Sequence, residues 1–363
     1  MSTERARSAR AVRAIVHSPQ AGLLLVLIGL GVVLSIAAGS HADPITGART
    51  NNFLNAHTLI QMATDASGFA IMGVGATIVI ISGGIDLSVG AVYALAGVVM
   101  AMLLRAVGPL DPALTVLLGL GTCLAVSLVC GLANGAMVIG LGVHPFIITL
   151  GTMWMLRGLA FVASRAESIL VPGALTGVAK SSLGLGASLY PVPLVAMLAV
   201  TALGSVYLTR TVMGRHIFAV GGNPEASRFA GLRVSRVQLG VFVLSSLTAG
   251  IAAFLGASFY GSATSSDANG YELYVIASAV VGGASLSGGK GNAISALLGA
   301  LLIVMIRQAI RTLHLDQNYE WIIIGGAMIL AVVFDQRGTK WLTGRMARGD
   351  GRATRAADPT TRP

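Results

Sequence analysis

Charged residues are scarce along the middle of this chain, and several stand inside apolar runs where they could act. Asp86 sits in GGIDLSVG (83–90), between ATIVIIS and VGAVYALAGVVMAMLL. Ser88 follows two residues later. Arg157 lies within TMWMLRGLAF, Glu272 opens GYELYVIAS, and Asn134 lies in CGLANGAMV. A carboxylate beside a hydroxyl can take hydrogen bonds from a hydroxylated solute, or can satisfy backbone groups freed by an interrupted helix. A charge facing lipid is costly, so each of these groups faces protein or water.

Two readings of Asp86 stand. It can lie in a cytoplasmic turn, with Asp86 or Ser88 capping the helix that begins near Leu87, or at a helix break lining a solute path. Arg157 either pairs with an acid such as Asp86 or Asp65, or snorkels. Glu272 is a helix-start carboxylate or a gate residue, and Asn134 braces a kink or bonds to a solute. His144-Pro145 reads as a turn. Tyr93, Trp154 and Tyr274 offer ring faces that can stack on a solute or simply pack.

Covalent chemistry finds no support. H-E-x-x-H and G-x-S-x-G patterns are absent from the sequence. SLSGGKGN (285–292) suggests a phosphate loop, but G-x-x-x-x-G-K-[ST] needs Gly at 284 and Ser or Thr at 291, where Ala284 and Gly291 stand. Cys123 and Cys130 are seven apart on one predicted helix, about 10 Å of rise, which is too far for a disulfide. No metal or redox framework follows.

The elements that must position these residues are membrane spans. Of 363 residues 55% are hydrophobic and only 10% charged, and the mean hydropathy is +0.81. Soluble domains carry about 25% charged residues. Ten segments are apolar enough for the ~20 residues a spanning helix needs: 21–39, 59–82, 87–107, 113–142, 146–164, 190–209, 239–260, 271–287, 292–309 and 319–335. The fourth is expected to kink or break near Asn134-Gly135. The first run is longer than a signal-peptide core and reads as a retained anchor. The fold class is therefore all-α, a polytopic integral membrane protein with about ten transmembrane helices over 21–336.

The net charge of +10 does not point to nucleic acid, because the basic residues line no soluble face. Seventeen of the 24 Lys and Arg fall in the tail 1–20, the segment 210–238, Lys290 and the tail 337–363. By the positive-inside rule both termini are cytoplasmic. The C-terminal tail is expected to be disordered.

The central segment reads RTVMGRHIFAVGGNPEASRFAGLRVSRVQ. Asn223 is a cap, Pro224 fits the first helical turn, Glu225 complements the positive helix end, and Gly231 is a terminator. A short helix of about two turns follows, shaped for docking on the cytoplasmic side.

Glu225-Ala226-Ser227-x-x-x-Gly231 is similar to the E-A-A-x-x-x-G signature of permease subunits of ATP-binding-cassette (ABC) importers. The longer pattern Gly214-Arg215-His216…Ala219-Val220-Gly221-Gly222-Asn223…Ala226…Gly231 resembles the simple-sugar branch, which includes ribose, xylose, arabinose and galactose permeases. ISGGIDLSVGAVYAL, HPFIITLGTMWMLRGLAF, GYELYVIASAVVGGASLSGGKGN and YEWIIIGGAMILAVVFDQ extend the likeness across nearly the whole chain.

The resemblance implies the ABC importer permease fold in a bacterial inner membrane. It also implies a second permease subunit, identical or related, a cytoplasmic ABC ATPase docked on the loop helix, and an extracytoplasmic sugar-binding protein. ATP is then bound by the partner, and the chain carries no cofactor of its own. The rival reading is an ion-coupled secondary transporter of a small neutral solute, which would need a relay of intramembrane acids or histidines.

GGIDLSVG and GGASLSGG (282–289) match at five of eight positions, 199 residues apart. An internal repeat with broken helices is one account. The predicted spans, however, put these strings at one side of the membrane, whereas an inverted repeat would put them on opposite sides.

Overall fold

The computed structural model describes residues 19–42, 49–184, 189–330 and 333. The expected tail 337–363 and nearly all of 1–20 lie outside these residues.

Eight helices among the described residues are long and apolar enough to cross a membrane. They are α1 (Pro19–Ala37), α2 (Ala56–Ile81), α3 (Val89–Val107), α4 (Pro112–Leu141), α5 (Pro145–Ser164), α7 (Val192–Arg210), α10 (Val234–Tyr260) and α12 (Ala293–Thr312). The expected spans at 271–287 and 319–335 are shorter: α11 (Tyr271–Val281) and α13 (Tyr319–Leu330). At 1.5 Å per residue each covers about half the ~30 Å hydrocarbon core. The chain is an all-α, multi-pass membrane protein, and two of its apolar helices are half-length.

The remaining helices are short. They are α6 (Gly173–Ala179), α8 (Val212–Gly222) and α9 (Pro224–Phe229). Two small antiparallel pairs, β1 (Ser40–Ala42) with β2 (Arg49–Asn51) and β3 (Ile169–Leu170) with β4 (Ser262–Ala263), tie loops at the end of the bundle opposite α8 and α9.

α2 is the central helix. From Phe69 to Ile81 every residue is buried. Its glycines let neighbours approach: a Cβ on Gly75 would lie 2.2 Å from Thr248 Oγ1 and 2.9 Å from Ser245 Cα of α10. The expected break in α4 at Asn134-Gly135 does not occur, since the helix is continuous to Leu141. Gly131 and Gly135, four apart, serve close packing. A Cβ on Gly131 would meet Val243 Cα at 2.7 Å, and one on Gly135 would meet Leu239 Cα at 3.0 Å. Small residues at this spacing let membrane helices approach at backbone distance.

The architecture contains an inverted duplication. α2, a seven-residue interruption, α3 and α4 correspond to α10, the interruption 261–270, α11 and α12. The packing is reciprocal: α2 lies on α12 as α10 lies on α4, α3 on α4 as α11 on α12, and α10 on α3 as α2 on α11. Corresponding units run in opposite directions, because the first turns of α2 face the last turns of α10. The interruption 82–88 is thus matched by 261–270. The likeness of GGIDLSVG to GGASLSGG is not the repeat; Gly83 of the first string meets Gly288 of the second at the α8–α9 end, where Gly289 N donates to Ile81 O at 2.8 Å.

Candidate functional site

The five polar residues singled out inside apolar runs converge where the two interrupted helices begin. After α2 ends, the chain re-enters the bundle through 82–88. Asp86 is 2% exposed, so it lies inside the protein and not in a turn at its surface. Asp86 Oδ1 accepts from Ser88 N at 2.9 Å and from Ser88 Oγ at 2.7 Å, and Oδ2 accepts from Ser245 Oγ at 2.8 Å. Asn134 Nδ2 of α4 donates to Ser88 Oγ at 2.8 Å. Thr149 Oγ1 of α5 donates to the Ile85 carbonyl at 3.1 Å. Three helices therefore grip one re-entrant loop. Ser245 lies eleven residues into α10, about 16 Å along its axis, near the middle of a membrane.

Ser88 holds the N-cap position of α3, but its side chain bonds Asp86 and not a free amide of the first turn. The carboxylate lies just before a helix N-terminus, where the dipole favours negative charge.

The second interruption meets the first. Arg157 reaches from α5 to 265–268, where Nη1 donates to the carbonyls of Ser265 at 2.7 Å and Asp267 at 2.6 Å, and Nη2 to that of Ala268 at 3.3 Å. The expected pairing with Asp86 or Asp65 is not formed. Among the described residues Arg157 has no carboxylate within ion-pair distance. Its fork of donors fits three converging carbonyls better than one acid. Ala268 is held at φ 53, a left-handed conformation that costs a residue with a side chain.

Glu272 sits in the first turn of α11 and is 9% exposed. A Cβ on Gly90 would lie 2.5 Å from Glu272 Oε2 and 2.6 Å from the Ala268 carbonyl oxygen. Gly90 thus lets the start of α3 touch the start of α11. Glu272 Oε2 and Asn134 Oδ1 are buried without a hydrogen-bond partner.

Toward the end of the bundle opposite α8–α9 lies a cluster that sequence reading only partly found. Tyr93 and Tyr274 do not stand alone. Tyr271 packs against Phe69 at 4.5 Å between ring centroids, and Tyr274 against Trp321 at 5.6 Å. Arg307 stacks over Phe69 and Tyr274 at 5.0 and 4.5 Å and pairs with Glu320. Arg307 is a second basic residue well inside a helix; it marks the side of α12 that meets α2 and α11. Trp154 is 69% exposed and belongs to the outer surface of the bundle.

The segment 210–238 is more helical than expected. α8 precedes the short helix, and Gly214 and Gly221 are buried in it while Ala219 is exposed. A Cβ on Gly214 would lie 2.4 Å from the carbonyls of Tyr207 and Leu208. In α9, Asn223 Oδ1 accepts from Ala226 N at 2.9 Å, and Gly231 at φ 82 closes the end. The helix has six residues, fewer than two turns. Of 223–231 only Ser227 is buried; Glu225 and Ala226 are exposed and Phe229 is 88% exposed.

Residues 58–332 match the family described as "Branched-chain amino acid transport system / permease component". The chain belongs to this permease family. The D-allose transport system permease protein AlsC of Escherichia coli (strain K12) is 36% identical over 286 residues, covering 78% of this chain and 85% of that one. The ribose import permease protein RbsC of Haemophilus influenzae is 34% identical over 315 residues, 86% of this permease and 94% of that one. The fructose import permease protein FrcC of Rhizobium meliloti is 31% identical over 319 residues, 86% and 83%. No solved structure matches. The interrupted helices of this permease are thus elements of a transport protein.

Proposed function

We propose that this permease is the membrane-spanning subunit of an ATP-driven importer for a simple sugar. The observation that carries the reading is α9. It is a capped helix projecting from the bundle with an exposed phenylalanine, a form suited to insertion into a partner's groove. A cytoplasmic ATPase takes that helix and binds the ATP, so the permease itself carries no cofactor and performs no covalent step. A sugar-binding protein delivers solute to the opposite end, and a second permease, identical or related, completes the path. The membrane is a bacterial inner membrane with both termini cytoplasmic, and 21–336 forms one permease domain with 210–238 as its coupling segment.

The sugar class is supported by the three relatives above, named for allose, ribose and fructose. The family description also covers amino acids, which carry both charges. In the described interior Arg157 is engaged by carbonyls, Arg307 by Glu320 and Asp86 by hydroxyls, while Glu272 keeps one oxygen, Oε2, without a hydrogen-bond partner. A neutral polyol crosses such an interior without competing for those partners. Asp86, Ser88, Asn134, Arg157 and Glu272 hold the two helix starts together at mid-depth and set how the bundle opens.

Proteoliposomes containing permease, ATPase and binding protein test this reading. Uptake of labelled sugar should require all three and ATP. Accumulation by the permease alone, driven by a proton or sodium gradient, would refute it.

A further inference from the structure

Three glycine-rich tips meet at the α8–α9 end, and they meet backbone to backbone. A Cβ on Gly221, near the end of α8, would lie 1.6 Å from the Ile81 carbonyl oxygen and 2.8 Å from Gly289 N. Those two atoms are themselves hydrogen-bonded at 2.8 Å. A Cβ on Gly288 would lie 2.5 Å from the Gly221 carbonyl and 3.2 Å from Gly83 Cα, and one on Gly289 would lie 3.1 Å from Gly222 Cα. Gly83, Gly288 and Gly289 all have φ between 72° and 86°, which only glycine adopts without strain.

The three tips belong to different mechanical parts. Gly221 and Gly222 lead directly into Asn223 and α9. Ile81 ends α2 and leads into the loop carrying Asp86. Residues 288–289 lie in the link between α11 and α12. The contact therefore joins the exposed docking helix to both interrupted helices. Side chains give way by changing rotamer; two backbones in contact cannot.

We propose that Gly221, with Gly288 and Gly289, forms the joint through which displacement of α9 reaches the two helix breaks, and that these parts move as one body. This rests on the ATP-coupled reading above. The glycines are positioning residues and need touch no solute.

The neighbouring glycine supplies the control, because a Cβ on Gly222 meets nothing within 4 Å. In the complete importer, with ATPase and binding protein, Gly221→Ala should retain the ATPase on purification yet move at least tenfold less sugar per ATP hydrolysed. Gly222→Ala should stay within twofold of wild type on both measures. Equal sugar per ATP in the two variants would overturn the joint.

A second measurement does not depend on how Gly221→Ala folds. It uses the wild-type importer, in which the Gly289 amide bonds the Ile81 carbonyl. That amide should stay protected from hydrogen exchange, within twofold, with and without ATP turnover. Exchange that becomes at least tenfold faster during turnover would show that the parts separate, and an amide unprotected in both conditions would show that they do not meet; either sinks the proposal. If wild-type permease retained no ATPase at all, the ATP-coupled reading would fall instead.

Discussion

Asp86 and Ser245, 159 residues apart, share a 2.8 Å hydrogen bond that ties the first interrupted helix to the long helix preceding the second. The carboxylate has no acidic or basic neighbour in that bond. Hydroxyls and a backbone amide hold it, at the start of a helix whose dipole favours its charge.

Asp86→Ala should therefore lower the thermal stability of the purified permease and abolish uptake. It leaves the Ser88 amide and the Ser245 hydroxyl without an acceptor, and such orphaned groups cost about 1–3 kcal/mol. Asp86→Asn, of the same shape, should fold and melt closer to wild type. An Ala variant with an unchanged melting temperature would contradict the network.

Gly131 should be intolerant of a side chain where Gly140 is not. Gly131→Ala puts a methyl 2.7 Å from Val243 Cα, whereas Gly140→Ala meets nothing within 4 Å. Overpacking of this kind costs about 1–3 kcal/mol. Paired melting curves in one detergent should separate the two; coincident curves would mean that α4 and α10 are not in backbone contact.

Phe229→Ala should weaken retention of the ATPase about 30-fold, the loss of ~2 kcal/mol expected when a central aromatic anchor is truncated. Asn223→Ala, which removes the cap, should weaken it less, the cap being worth about 0.5–2 kcal/mol. Glu225→Lys should also reduce assembly while leaving membrane insertion intact. Full assembly in all three variants would dismiss α9 as the docking element.

Arg157→Lys should fail to replace arginine despite keeping the charge. A single ammonium cannot reproduce two nitrogens bonding three carbonyls at 265, 267 and 268. Uptake should fall at least tenfold in the Lys variant. Wild-type uptake there would show that charge alone matters.

Much of this was legible in advance. Apolar run lengths gave eight of the ten expected spans because lipid leaves the backbone few options other than helix. Asn223, Pro224 and Gly231 gave α9 because capping is local: the donor and acceptor lie three residues apart. The polar residues within apolar runs were legible as special because an unpaired charge in lipid is so unfavourable.

Their partners were not legible. Arg157 answers to carbonyls 108 to 111 residues away, and backbone carbonyls leave no mark in a sequence. Gly131 and Gly135 look the same whether they break a helix or admit a neighbour, and only the structure shows a continuous helix with α10 against both. Likewise GGIDLSVG and GGASLSGG look like copies, yet the true duplication pairs 82–88 with 261–270, whose letters differ. Composition and local spacing determined eight of the ten expected spans and where α9 begins and ends, but not that 271–287 and 319–335 hold helices of half length. Which interruption faces which, and that three glycine tips touch, was decided by tertiary packing, because those contacts are made by backbone atoms common to every residue type.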